Sequence, residues 1–382
     1  MVSATHLAIL GRQPELGLIE LESLLGGDAV VAFGQHALVS GKLTFANLGG
    51  SIKLGRIIAR LPRTRLDRIE LDTVLIPLLP RTEGKLTFAV SSYGQSLAPR
   101  ELEAFGLSLK KKLKSFGSTR LVTAKPGSNE LTAAQLKFNH LPQAGFELLI
   151  ASDGRELILA LTEAVQDIDS YTARDYARPA RSAKVGMLPP KLAQILINTT
   201  RPVPVYDPFC GTGVVLQEAL LMGRAATGSD LEDEMRLATQ TNLEWLGEHF
   251  DGILPAWSAA QADAQTVKLV DTAVAIVSEG FLGPNLTGEP HRDDLAGLTA
   301  PLLDLYRNTL RNLASQLSPG AELALCAPAW RIGKTWKVLP IVDEAVDLGY
   351  TVKVFKTVPR SPVVYGREGQ AVGRALILLK KV

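Results

Sequence analysis

Residues 205–223 read VYDPFCGTGVVLQEALLMG, and this stretch decides the fold. A short apolar strand runs into Asp207, a turn holds Gly211 and Gly213, and an apolar helix is predicted from Val214 to Leu221. Strand, glycine turn and helix in that order form a ligand-binding corner: the glycines let the backbone come close to a ligand, and the first helical turn offers it unpaired N–H groups. Seventeen residues after Gly213, the segment AATGSDLEDE puts Asp230 at the end of a second strand, where a carboxylate can accept both hydroxyls of a ribose.

The spacing narrows the ligand. A dinucleotide site needs a third glycine where this chain has Leu216, and a phosphate-binding loop needs a glycine where RIGKTW is preceded by Pro328. A nucleoside with a charged amino-acid tail and no phosphate fits better, which is S-adenosylmethionine, with Asp263 of AQADAQ as partner for the adenine amine. Met187, Leu188, Pro189 and Pro190 are placed to cap the methionine end; a rigid linker is the other reading of those four.

Outward from this corner, apolar runs at 203–206, 225–228, 272–277 and 323–326 alternate with helical segments, the sign of a parallel sheet with crossover helices. The last two strands, in YTVKVFKTV and RALILLKK, have no helix between them and are expected to be antiparallel. The N-terminal half reads differently. PELGLIELESLLG is a helix among short strands in residues 1–62, and residues 63–166 form a small α+β module whose last hairpin turns at Asp153-Gly154. A linker at 167–189 leads into the α/β domain at 190–382.

With 382 residues, 46% hydrophobic and 21% charged, the chain has enough material for two or three cores. Two cysteines and five scattered histidines exclude a disulfide framework and a cysteine-rich zinc site, so no metal is expected and a reducing, cytoplasmic setting fits. No window is apolar and long enough to span a membrane, and the N-terminus lacks the pattern of an export signal. Net charge is only +2, but basic residues cluster: six at 53–68 (Lys53, Arg56, Arg60, Arg63, Arg65, Arg68), then Lys110, Lys111, Lys112 and Lys114, then Arg174, Arg178, Arg181 and Lys184. Such faces suit a polyanion such as RNA.

The blocks DPFCGTGVVLQEA, GSDL and RDYARPARSAKVGMLPPKLAQILIN resemble the THUMP-domain tRNA guanine-N2 methyltransferases that modify guanosine ten, and VVYGREGQAVGRALILL resembles their final strand pair. The resemblance covers most of residues 80–382. It implies a Rossmann-like class I methyltransferase domain behind a ferredoxin-like and THUMP RNA-binding region that holds tRNA while a flipped base is methylated. It also implies cofactor contacts by Asp207, Pro208, Cys210, Gly211, Gly213, Asp230 and Leu231, and small accessory subunits occur in parts of the family.

In that family the fourth motif reads Asp-Pro-Pro-Tyr or Asn-Pro-Pro-Tyr. At the corresponding strand end this chain has Ser278-Glu279-Gly280-Phe281. Guanine N2 is a poor nucleophile, so the loop must accept a hydrogen bond from the amine and stack the base. Phe281 is the stacking residue, Ser278 a hydroxyl acceptor, and Glu279 the replacement carboxylate if Gly280 turns it inward. The alternatives are a non-catalytic tRNA-binding protein with a relic cofactor site and a nicotinamide-dependent oxidoreductase, the latter disfavoured by Leu216.

Overall fold

The alternation of apolar runs and helices past residue 190 becomes one mixed sheet, and the earlier strands become another. The computed structural model describes residues 4–62, 70–79, 84–94, 97–181, 187–250, 252, 254–286, 288–291, 294–359 and 362–382. Residues up to Asp169, apart from Asn47–Gly49, cluster as one compact unit, and Ser170–Val382 as a second.

The first unit contains β1 (His6–Leu10), α1 (Pro14–Leu25), β2 (Val30–Phe33), β3 (His36–Val39), β4 (Ser51–Pro62), α2 (Leu71–Val74), β5 (Leu86–Gly94), α3 (Pro99–Lys112), β6 (Thr119–Val122), α4 (Ala133–Phe138), β7 (Gly145–Ser152) and β8 (Glu156–Val165). Its strands join in the order β2-β3-β1-β4-β8-β7-β5-β6. The expected boundary at residue 62 is therefore not seen as a break in packing. β4 pairs antiparallel with β8 from Lys53↔Val165 to Pro62↔Glu156, so the two N-terminal segments share one sheet. The hairpin of β7 and β8 turns at Asp153-Gly154 as expected.

The second unit begins in α5 (Ile168–Tyr176) and continues through α6 (Pro190–Asn198), β9 (Val205–Asp207), α7 (Val214–Leu221), β10 (Ala226–Asp230), α8 (Asp233–His249), β11 (Trp257–Gln261), β12 (Ala275–Ser278), α9 (Leu295–Ala314), β13 (Glu322–Ile332), β14 (Thr335–Val338), α10 (Ile341–Asp347), β15 (Tyr350–Val352), β16 (Val364–Tyr365) and β17 (Val372–Lys381). The strand order is β11-β10-β9-β12-β13-β17-β15, with β14 on β13 and β16 on β17. The first five are parallel and β17 runs antiparallel to both β13 and β15, as expected. Strand order reverses at β9, so the ends of β9, β10 and β12 border the crevice where open α/β sheets bind ligands.

α9 presents Leu302, Tyr306, Leu310 and Leu313, at helical spacing, to Ile276, Leu323 and Leu325 of the sheet. That core fixes the height of the β12 loop. No helix among the described residues is long and apolar enough to cross a membrane.

Candidate active site

The glycine turn is built as its sequence dictates. Gly211 and Gly213 have φ of +51° and +84°, values that side chains resist, and Gly213 caps α7 in the left-handed conformation. A Cβ placed on Gly211 would meet nothing within 4 Å, so open space lies against the backbone there. Asp230 is fixed beside that space: Gly211 N–H donates to Oδ2 at 2.9 Å and Glu232 N–H to Oδ1 at 3.1 Å. A carboxylate has room for further donors, so these two bonds orient Asp230 without exhausting it. The next residue, Leu231, is 66% exposed, an apolar side chain available to a flat ring. On the adjoining strand Gln261 is in register with Asp230, and Asp263 follows, held by Gln265 N–H at 2.9 Å. A glycine cradle, two carboxylates at neighbouring strand ends and an exposed apolar side chain next to one of them in the chain fit a nucleoside.

Three expected contacts take a supporting place instead. Pro208 and Cys210 are buried, and Thr239 bonds both the Cys210 sulfur and Gly211 O, so their side chains hold the turn from beneath. Burial pushes the Cys210 thiol well up, leaving it unreactive. Asp207 is buried too. Phe209 N–H donates to its Oδ1 at 3.0 Å, and burial lifts its pKa to about 7 although the nearby Ser278 hydroxyl and the Phe209 N–H both favour the ionised form.

Asn242 was not singled out from sequence. Its Nδ2 donates to Thr212 O and Ala180 O, and its Oδ1 accepts from Ala180 N–H at 2.9 Å. It ties the turn to the segment ahead of the domain. The only sequence signal was the polar pair Thr239 and Asn242, three residues apart on the buried face of α8.

Arg174 and Arg178 are corrected. Both are buried, so neither belongs to an exposed RNA track. Arg174 Nη1 pairs with Glu218 Oε2 of α7 at 3.0 Å, and Arg178 Nη2 donates to the Met187 sulfur at 3.2 Å. Met187 is half-buried and Pro189 caps α6, as a segment held against the domain requires. Arg181 remains exposed, and Lys184 lies outside the described residues.

The loop after β12 differs from expectation in one residue and sharpens another. Ser278 has no exposed surface and its Oγ accepts Gly280 N–H at 3.0 Å, so it braces the loop and cannot meet a base. Gly280, at φ +68°, turns the chain because a Cβ there would lie 2.1 Å from Tyr306 Oη and 2.8 Å from Cys326 O. Glu279 is thereby turned inward onto Arg374 of β17, whose Nε donates to Oε1 at 2.5 Å. Burial raises the Glu279 pKa and Arg374 opposes that rise. Oε2 of Glu279 makes no hydrogen bond among the described residues. Phe281 is 46% exposed and can take a stacked ring.

In the N-terminal unit, Lys111, Lys112 and Lys114 are exposed and Lys110 half-buried at the end of α3. Lys53 is not part of any basic face: it is buried on Glu147 at 2.6 Å. Arg63, Arg65 and Arg68 lie outside the described residues. No group of three His, Cys, Asp or Glu side chains among the described residues could hold a metal.

No protein-family model matches the sequence. Over 146 residues it is 29% identical to the tRNA (guanine(10)-N2)-dimethyltransferase of Methanothermobacter thermautotrophicus, covering 37% of this chain and 39% of that protein. The protein of the same name from Pyrococcus abyssi is 29% identical over 160 residues, 41% of each chain, and that from Methanocaldococcus jannaschii 44% over 98 residues, 24% and 28%. The match thus spans about two-fifths of the first two relatives. Among solved structures, TrmN from Thermus thermophilus aligns over 99% of this chain and 100% of its own at a TM-score of 0.54 and 19% identity. A possible methylase from Clostridium difficile aligns over 99% and 98% at 0.50 and 14%. The likeness to these structures is one of fold over nearly the whole chain, and the Rossmann-like methyltransferase fold is that of the second unit.

Proposed function

We propose that this chain transfers a methyl group from S-adenosylmethionine to the exocyclic N2 of a guanosine in tRNA, with guanosine ten as the target and the N-terminal unit as a THUMP-like tRNA-binding module. The observation that carries the reading is the pairing, at neighbouring strand ends, of the Gly211–Asp230 nucleoside corner with the Glu279–Arg374 loop. The names of the relatives support it.

When bound, the cofactor supplies an electrophilic sulfonium methyl. Asp230 would accept from the ribose hydroxyls, Asp263 from the adenine amine, and Leu231 would offer the ring an apolar surface. Phe281 stacks the guanine. Glu279 Oε2 accepts a hydrogen bond from N2–H, while Arg374 fixes Oε1 and favours the ionised carboxylate. As N2 bonds to the methyl carbon and the carbon–sulfur bond breaks to leave the neutral thioether, N2 gains positive charge, the charge-assisted bond to Glu279 strengthens, and the carboxylate can take the proton released. No metal is required, and the buried Ser278 and Asp207 keep the loop in shape.

Incubation of the chain with S-adenosylmethionine and unmodified tRNA, followed by nucleoside mass spectrometry, should yield N2-methylguanosine in the fragment containing position ten. Tight tRNA binding with no methylated nucleoside would instead favour a tRNA-binding protein with a relic cofactor site, the reading that the serine at 278 motivates. Calorimetry should show Asp230→Ala weakening cofactor binding by about 1.5 to 3 kcal/mol. Tight NADH binding without any response to S-adenosylmethionine would reverse the assignment.

A further inference from the structure

Three arginine–aromatic pairs lie on the catalytic unit outside the nucleoside corner. The Arg181 guanidinium sits 5.2 Å from the Tyr176 ring centre, that of Arg331 4.2 Å from Trp336, and Arg367 Nε donates to Tyr365 Oη at 3.4 Å. They are connected. Arg331 donates to Gln370 O at 3.2 Å and to Arg367 O at 3.4 Å, and the Arg367 pKa is raised first by the Tyr365 hydroxyl and further by the Asp175 carboxylate, next to Tyr176 in the chain. Trp336 packs flat on Gly366 and Gly373, where a Cβ would come within 2.3 and 3.0 Å of it. Arg331 and Trp336 therefore form the platform that carries the loop bearing Arg367.

The cluster adjoins the reacting loop. Tyr365 is the cross-strand partner of Arg374, whose guanidinium holds Glu279. Tyr176 is 63% exposed, Arg181 and Arg367 are exposed, and the carboxylates nearby are Asp175 and Glu368. An exposed aromatic ring flanked by cations is the chemistry that grips unpaired nucleotides, because every base has a face to stack and every linkage a charge to neutralise.

We propose that this face binds the unpaired RNA strand next to the target guanosine, with Tyr176 stacking a base and Arg181 and Arg367 meeting phosphates. The proposal rests on the methyl-transfer reading above. It explains how the catalytic unit can hold a flipped nucleotide's neighbours although Arg174 and Arg178 are buried.

The test uses the full chain and an unmodified tRNA transcript, titrated over a range of salt. The double variant Arg181→Ala/Arg367→Ala should bind RNA about ten-fold more weakly, with the slope of log affinity against log salt reduced by about 1 to 2. Tyr176→Ala should lose about ten-fold with little change in slope, and Tyr176→Phe should behave as wild type. Cofactor affinity should be unchanged in all of them, which a misfolded variant would not show. If wild type methylates tRNA while the double variant keeps full RNA affinity and slope, the face is not an RNA contact and the function stands. A wild-type chain that binds no RNA would overturn both.

Discussion

Asp207 shows how one residue links the fold to the cofactor. Its carboxyl is buried beneath the glycine turn and its pKa is raised to about 7, chiefly by that burial. A carboxyl raised above its unfolded value stabilises the fold while protonated, so this contribution is present below the ordinary carboxylate range and is lost as pH rises through about 7. A bound sulfonium would favour the ionised form. Affinity for S-adenosylmethionine is therefore expected to rise as pH increases through about 7 and to be flatter in Asp207→Asn, as calorimetry across that range would show; identical profiles would refute the linkage. The glycine turn was legible in the sequence because Gly211 and Gly213 lie between a strand and a helix in one short stretch; Asp230 was legible from its place at the end of the next strand although Gly211, 19 residues away, holds it, and Asp207 was read as a cofactor contact where the structure buries it beneath the turn. The inward turn of Glu279 was legible through Gly280, but its partner Arg374 lies 95 residues away, and the burial of Ser278 has no local sequence signal.

At the scale of elements, helices and strands with a strong period were legible: α7 spans the expected residues, and β15 and β17 pair antiparallel as expected. β11, with sequence WSAAQ, was not, because it is an edge strand with little apolar signal, and β14 and β16 are too short to show any. The contact between α5 and α7 was misread for a related reason. Arginines spaced along a helix look like a solvated face until a partner such as Glu218 is known. Because that pair is buried, Arg174→Ala should leave an uncompensated charge and destabilise the second unit by about 3 to 5 kcal/mol in denaturant titrations, and adding Glu218→Gln should restore much of the loss. A neutral effect of Arg174→Ala would mean that the pair is not desolvated in solution.

For the whole molecule, the division into two compact units was visible as a change of texture along the chain. The merger of residues 1–62 with 63–166 into one sheet was not, since β4 and β8 are separated by most of the unit and no local pattern encodes their pairing. The proposed function asks for phosphate contacts on one unit and a base site on the other. Everything then depends on whether the altered loop performs chemistry. The most direct measurement is single-turnover methyl transfer to unmodified tRNA by wild type and Glu279→Gln, with cofactor and tRNA affinities measured alongside. A carboxylate pinned by Arg374 and used mainly in the transition state predicts a rate lower by roughly 10² to 10³ in Glu279→Gln with both affinities nearly intact; a Glu279→Gln enzyme as fast as wild type would contradict it.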